Sequence, residues 1–122
     1  MDSQIILLGL AGVIATGAPI VIAVIGETLT ERAGVINLSR VLAIEWAPHE
    51  IRVNAVCPTF VETPLTRVLL ENEAIKRDIL GRTPAGRLAT PDEVAAAIVF
   101  LAGPSAGYIS GETLNVAGGF GI

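Results

Sequence analysis

Apolar positions run almost without interruption from Ile5 to Gly26, and no charged side chain occurs between residues 3 and 26. At about 1.5 Å per residue, a helix over that run reaches the roughly 30 Å of a bilayer core. The first expectation is therefore an apolar helix over residues 5–26, a candidate transmembrane span. Gly9, Gly12, Gly17 and Pro19 are better tolerated in lipid than in water, and Ala11 and Ala15 form a small-residue face. A short strand such as Ile20–Ile25 in a buried core is the rival reading, because periodicity alone does not separate the two. No basic residue precedes the run, which argues against a signal peptide.

The pattern changes after Arg32. Val35, Leu38, Leu42 and Trp46 recur at helical spacing and predict a helix over 33–47, ended by Pro48. Residues 51–56 alternate and are rich in branched side chains, which predicts a strand. Residues 65–80 form one amphipathic pattern, with Leu69, Ile75 and Ile79 against Glu71, Glu73, Lys76 and Arg77. Thr90-Pro91-Asp92-Glu93 is a helix start: Thr90 can cap, Pro91 suits the first turn and Glu93 completes a capping box. That helix is apolar on nearly every face to Ala102, where Gly103 and Pro104 stop it. Thr113–Val116 reads as a last short strand before Gly118 and Gly119. Helix, strand, helix, helix, strand is the tail of a doubly wound parallel α/β sheet.

Composition narrows the functional classes. Of 122 residues, 52% are apolar and 16% charged, and the net charge is −4, which excludes the basic footprint of a nucleic-acid binder. The single Cys57 excludes an internal disulfide and any multi-cysteine metal site. Cys57 and Trp46 read as packing residues, His49 as a turn residue, and Glu27 and Glu31 as acidic residues near a helix start.

Four pieces, in order, carry a resemblance: A-G-V-I-N-L-S-R-V-L-A-I-E-W-A (33–47), I-R-V-N-A-V-C-P-T-F-V-E-T-P (51–64), G-R-L-A-T-P-D-E-V-A (86–95) and Y-I-S-G-E-T-L-N-V (108–116) before G-G (118–119). Residues 33–122 resemble the C-terminal portion of a short-chain dehydrogenase/reductase. The resemblance implies a Rossmann-like sheet and an oxidoreductase that uses NAD or NADP to move hydride to or from a small alcohol or carbonyl. It also implies that the loop Cys57–Thr63 touches the nicotinamide carboxamide, with Pro58, Val61 and Thr63 as the cofactor-binding residues: Val61 through its backbone, Thr63 through hydroxyl or backbone. Many relatives carry Gly where Thr59 stands and Asp where Ala117 stands. By the same resemblance, the helix Pro91–Ala102 and the last strand pack against a second subunit, so a homo-oligomer is expected.

The family's catalytic pair is missing. It needs a Tyr and, four residues later on the same helix face, a Lys that lowers the phenol's pKa. The only Lys is Lys76 and the only Tyr is Tyr108, in the wrong order and far apart in sequence. Alignment on Ala33-Gly34-Val35 puts Thr28 and Arg32 at those positions, and neither replaces them chemically. No G-x-G-x-x-G occurs to cradle a pyrophosphate. No catalytic residue and no metal ligand is assigned, and the chain is expected to be a truncated, inactive member.

Residues 18–38, A-P-I-V-I-A-V-I-G-E-T-L-T-E-R-A-G-V-I-N-L, resemble the opening of permease subunits of sugar and nucleoside ABC transporters. The two resemblances overlap at Ala33–Leu38. The expected organisation is a permease-like apolar segment over 1–32 joined to the dehydrogenase-like part over 33–122, as in a fused or truncated reading frame. A membrane-anchored fragment or an assembly module are the alternative functions. Arg32 and Arg40 would then place the C-terminal part on the cytoplasmic side, membrane-associated or simply cytoplasmic.

Overall fold

The branched, alternating stretch around Asn54 becomes the middle one of three parallel strands among the described residues. The computed structural model describes residues 20–23 and 29–122. In chain order these form β1 (Ile20–Ala23), α1 (Leu29–Trp46), a 3-10 turn (Ala47–His49), β2 (Val53–Pro58), α2 (Pro64–Leu70), α3 (Glu73–Gly81), α4 (Pro91–Ala102), a second 3-10 turn (Pro104–Ala106) and β3 (Thr113–Val116). The sheet order is β1-β2-β3 and both pairings are parallel. Ile22 lies opposite Ala55, and Ala55 opposite Thr113.

Every residue of β2 is buried. Strand geometry sends alternate side chains to opposite faces. Val53, Ala55 and Cys57 pack with Ala43 and the inner side of α1, including Val35, Leu42 and Trp46. Val56 packs with Leu101 of α4 and Ala106, joined by Ile98, Ile109 and Leu114. The result is helix, sheet, helix, the layering that parallel strands require because both faces must be covered.

One expectation is corrected here. Ile20–Ala23 is not helical; it is β1, paired to β2 over Ile20↔Val53 through Ala23↔Val56. The remainder of the expected helix, residues 5–19 and 24–26, lies outside the described residues. Among the described residues no helix is long and apolar enough to cross a membrane. Two causes favour the strand. Ile20, Val21 and Ile22 are β-branched, and a buried β2 needs partners for the backbone groups on its β1 side. The expected boundary between residues 32 and 33 falls inside the continuous helix α1.

Other boundaries moved for local reasons. The strand starts at Val53, because the chain first turns through Glu50, which has φ 58° and donates its amide to Ala47 O. The single helix expected over 65–80 is two helices. Asn72 accepts hydrogen bonds from the amides of Ala74 and Ile75, at 3.0 and 3.3 Å, and starts α3 anew. At α4 the expected capping box is present, with Thr90 Oγ1 accepting from Glu93 N–H and Glu93 Oε2 accepting from Thr90 N–H at 2.8 Å. The outward side of α1 carries exposed Leu38, Val41 and Ile44.

Two polar residues tie the α4 layer to β2. Arg52 donates to the carbonyls of Leu101 (2.9 Å), Ile109 (3.2 Å) and Gly103 (3.2 Å), the end of α4 and the loop beyond it. Asn54, fully buried, donates to Ile109 O at 2.9 Å and accepts from Glu112 N–H at 3.0 Å. Terminal helix carbonyls lack intrahelical partners, so Arg52 satisfies groups that burial would otherwise penalise. Arg52→Met is expected to lower the unfolding free energy by about 2 kcal/mol, the scale of hydrogen bonds to a charged donor. Urea denaturation checks it, and a midpoint equal to wild type contradicts the assignment.

Candidate functional site

The chain leaves β2 at Pro58 and enters α2 at Pro64, and the segment between is pinned on one side. Glu62 N–H donates to Ala89 O at 2.8 Å and Ala89 N–H to Phe60 O at 3.0 Å, a one-residue parallel bridge of Val61 with Ala89. In such a bridge the flanking residues point toward the partner strand, so the N–H and C=O of Val61 face the other way. Thr59 N–H continues the β2 ladder to Val116 O at 3.2 Å. Thr59 has no positive φ, so a threonine there is unstrained.

An aromatic anchor holds the segment to the C-terminal tail. The Phe60 and Phe120 rings meet edge to face with centroids 5.4 Å apart, and the Arg82 guanidinium lies 4.8 Å from the Phe120 ring centre. The tail approaches closely because Gly118 and Gly119 have φ of 57° and 86°; a Cβ at either would lie 2.9 Å from Ala85 Cβ or Pro84 Cγ. This is the physical content of the G-G pair at 118–119.

These pieces surround a cavity of about 240 Å³ at the C-terminal ends of β2 and β3, lined by Thr59, Phe60, Thr83, Arg87, Val116 and Gly118 among others. Carboxyl ends of parallel strands are where open α/β sheets place their ligands. The cavity lies on the Ala89 side of the segment, and Val61's outward amide is on the opposite side.

The expected residues fall as follows. Pro58 ends β2. Val61 has an amide N–H with no hydrogen-bond partner among the described residues, and its carbonyl accepts from the Thr66 hydroxyl at 2.7 Å. Thr63 caps α2, its Oγ1 accepting from Thr66 N–H at 3.2 Å. The structure therefore brings Val61 and Thr63 together around Thr66, a residue sequence reasoning passed over. The T-x-x-T spacing of a capping box at 63–66 was the available signal. Tyr108 is fully exposed in the loop before β3, and Lys76 is exposed on α3, in separate elements. Arg32 lies in α1 and Thr28 outside the described residues.

The ion pair of Arg87 with Glu93 at the cavity rim was also unforeseen. It is bidentate, 2.6 and 2.9 Å. The Arg87 hydrogen bonds and then the Thr90 backbone N–H pull the Glu93 carboxyl down to about 2.

Comparison with known proteins bears on the family and the fold. A sequence profile of the family described as enoyl-(acyl carrier protein) reductase matches residues 13–121. It takes in the whole stretch 18–38 that resembled a permease opening, so the one family accounts for that stretch and no finding supports a transporter segment there. A 3-oxoacyl-[acyl-carrier-protein] reductase from Vibrio harveyi is 48% identical over 88 residues, covering 72% of this chain and 35% of that protein. An oxidoreductase of the short-chain dehydrogenase/reductase family from Burkholderia thailandensis superposes with a TM-score of 0.76 at 32% identity, covering 90% of this chain and 48% of that one. A gluconate 5-dehydrogenase from Burkholderia cenocepacia, solved with NADP and tartrate, gives 0.77 at 29% identity, with coverage of 90% and 48%. The chain thus spans about a third of the length of the curated relatives it matches.

A carboxylate whose folded pKa is depressed contributes stability that is complete above its unfolded pKa and vanishes as pH falls through the folded one. Glu93 moves from 4.5 to about 2. Its support for α4 should therefore be full above about pH 4.5 and disappear as the pH falls toward 2. A side-chain carbonyl NMR titration checks this, and a midpoint near 4.5 contradicts it.

Proposed function

Because the chain belongs to the short-chain dehydrogenase/reductase family, we propose that the loop after β2 receives the nicotinamide end of NAD or NADP. In that reading the chain forms the C-terminal part of an oxidoreductase acting on a small alcohol or carbonyl. The bound cofactor would supply or accept hydride; the residues of this chain bind and orient. Pro58 ends the strand beneath the loop, Val61 offers its backbone, and Thr63 offers its hydroxyl to the carboxamide. One observation carries the reading: Val61 N–H is unpaired among the described residues, and the Val61 carbonyl and Thr63 hydroxyl both meet Thr66 Oγ1 in a loop pinned by Ala89 and Phe120.

The fit is to the nicotinamide end only. The sequence has no Gly-rich turn for a pyrophosphate and no Tyr-x-x-x-Lys for proton transfer. The 122-residue chain alone is therefore proposed to bind the nicotinamide end weakly and to turn nothing over.

For assembly, a second copy of the chain is the proposed partner of α4 and β3. Val99 is 69% and Phe100 45% exposed on α4, and β3 is an outer strand of the sheet among the described residues.

Nicotinamide mononucleotide, titrated into ¹⁵N-labelled chain, should shift the amides of Val61 and Thr63 and leave Lys76 and Tyr108 unmoved. The same sample with NADH or NADPH and small carbonyls should show no oxidation above blank. Shifts confined elsewhere, or none, contradict the binding reading; steady oxidation contradicts the proposed inactivity.

A further inference from the structure

Four oxygens and two amides meet at the entrance to α2, and their protons can be counted. Thr66 Oγ1 lies 2.7 Å from Val61 O and 3.0 Å from Thr63 O. It also accepts from Thr63 N–H at 2.7 Å and lies 3.2 Å from Thr63 Oγ1. Thr63 Oγ1 in turn accepts from Thr66 N–H at 3.2 Å. A hydroxyl has one proton to give. The shortest acceptor for that of Thr66 is Val61 O, so the proton of Thr63 is left to choose between Thr66 Oγ1 and a ligand. Among the described residues the hydroxyl partner for that proton is Thr66 Oγ1, at a long 3.2 Å that a ligand acceptor can replace.

We propose that Thr66 is the positioning residue of this loop, setting its polarity so that it faces a ligand with two donors, Val61 N–H and Thr63 O–H. This rests on the nicotinamide reading and deepens it. By engaging one lone pair of Val61 O and the amide of Thr63, the Thr66 hydroxyl removes the local alternatives. What remains matches a carboxamide: two donors for its oxygen, and the second lone pair of Val61 O for its NH₂. The donors are a loop amide and a loop hydroxyl; the amides of the short helix α2 take no part. With an apolar side chain at 66, Val61 O would lose its partner, and Thr63 O–H, released from its own contact to Thr66, would be a donor free to replace it. The loop would then turn its hydroxyl inward, away from the ligand.

The test compares Thr66→Val, which keeps shape and loses the hydroxyl, with Thr66→Ser, which keeps the hydroxyl. Asn72→Ala is the control, since it uncaps α3 without touching the loop. The readouts are amide hydrogen exchange at Thr63 and the dissociation constant of nicotinamide mononucleotide from amide shifts. Thr66→Val is expected to lose Thr63 protection and to weaken binding about tenfold, one aligned hydrogen bond's worth. Thr66→Ser should restore both to within about twofold of wild type, a fraction of one such bond. Asn72→Ala should leave the affinity unchanged. Wild-type binding that Thr66→Val leaves intact overturns the positioning role alone. A weakening matched by Asn72→Ala shows general loosening and overturns it as well. No binding to the wild-type chain overturns the nicotinamide reading and this inference with it.

Discussion

β2 is the strand on which the remaining structure depends. It is buried on both faces and paired on both edges, so no backbone group along it can turn to water. That constraint assigns a task to each neighbour. β1 and β3 pair its amides and carbonyls, α1 covers one face, and α4 covers the other. Apolar burial alone would allow the helices to slide. Arg52 and Asn54 remove that freedom, because their hydrogen bonds to Leu101, Gly103, Ile109 and Glu112 are met in one register only.

The same strand aims the loop. Thr59 extends the ladder by one bond to Val116, and the Ala89 bridge takes over from Phe60 onward. One side of the segment is consumed by these pairings. The other side carries Val61's amide, which in the proposed reading meets a ligand together with the Thr63 hydroxyl. Rigid support beneath a few outward donors is how a binding loop is pre-organised.

Much of this was legible in the residues. The last strand falls at Thr113–Val116 as expected, and the Thr90/Glu93 box starts α4 where its chemistry says it should. Ile20–Ala23 misled because a charge-free run satisfies both a lipid helix and a buried parallel strand; only the partner strand decides. The break at Asn72 was hidden because a polar residue on a solvated helix face and an N-cap look alike in sequence. Arg52 and Asn54 read as strand alternation, since their partners lie some fifty residues away. Thr66 was invisible as a loop organiser because capping spacing says nothing of where a hydroxyl proton points.

Backbone NOE spectroscopy of isotopically labelled chain tests the central claim most directly, because everything above assumes that β2 has a parallel neighbour on the β1 side. Cross-strand Hα–HN contacts between Ile20–Ala23 and Val53–Val56, with slow exchange of the paired amides, are the predicted result. Helical chemical shifts over Ile20–Ala23, with no contact to β2, would contradict the account.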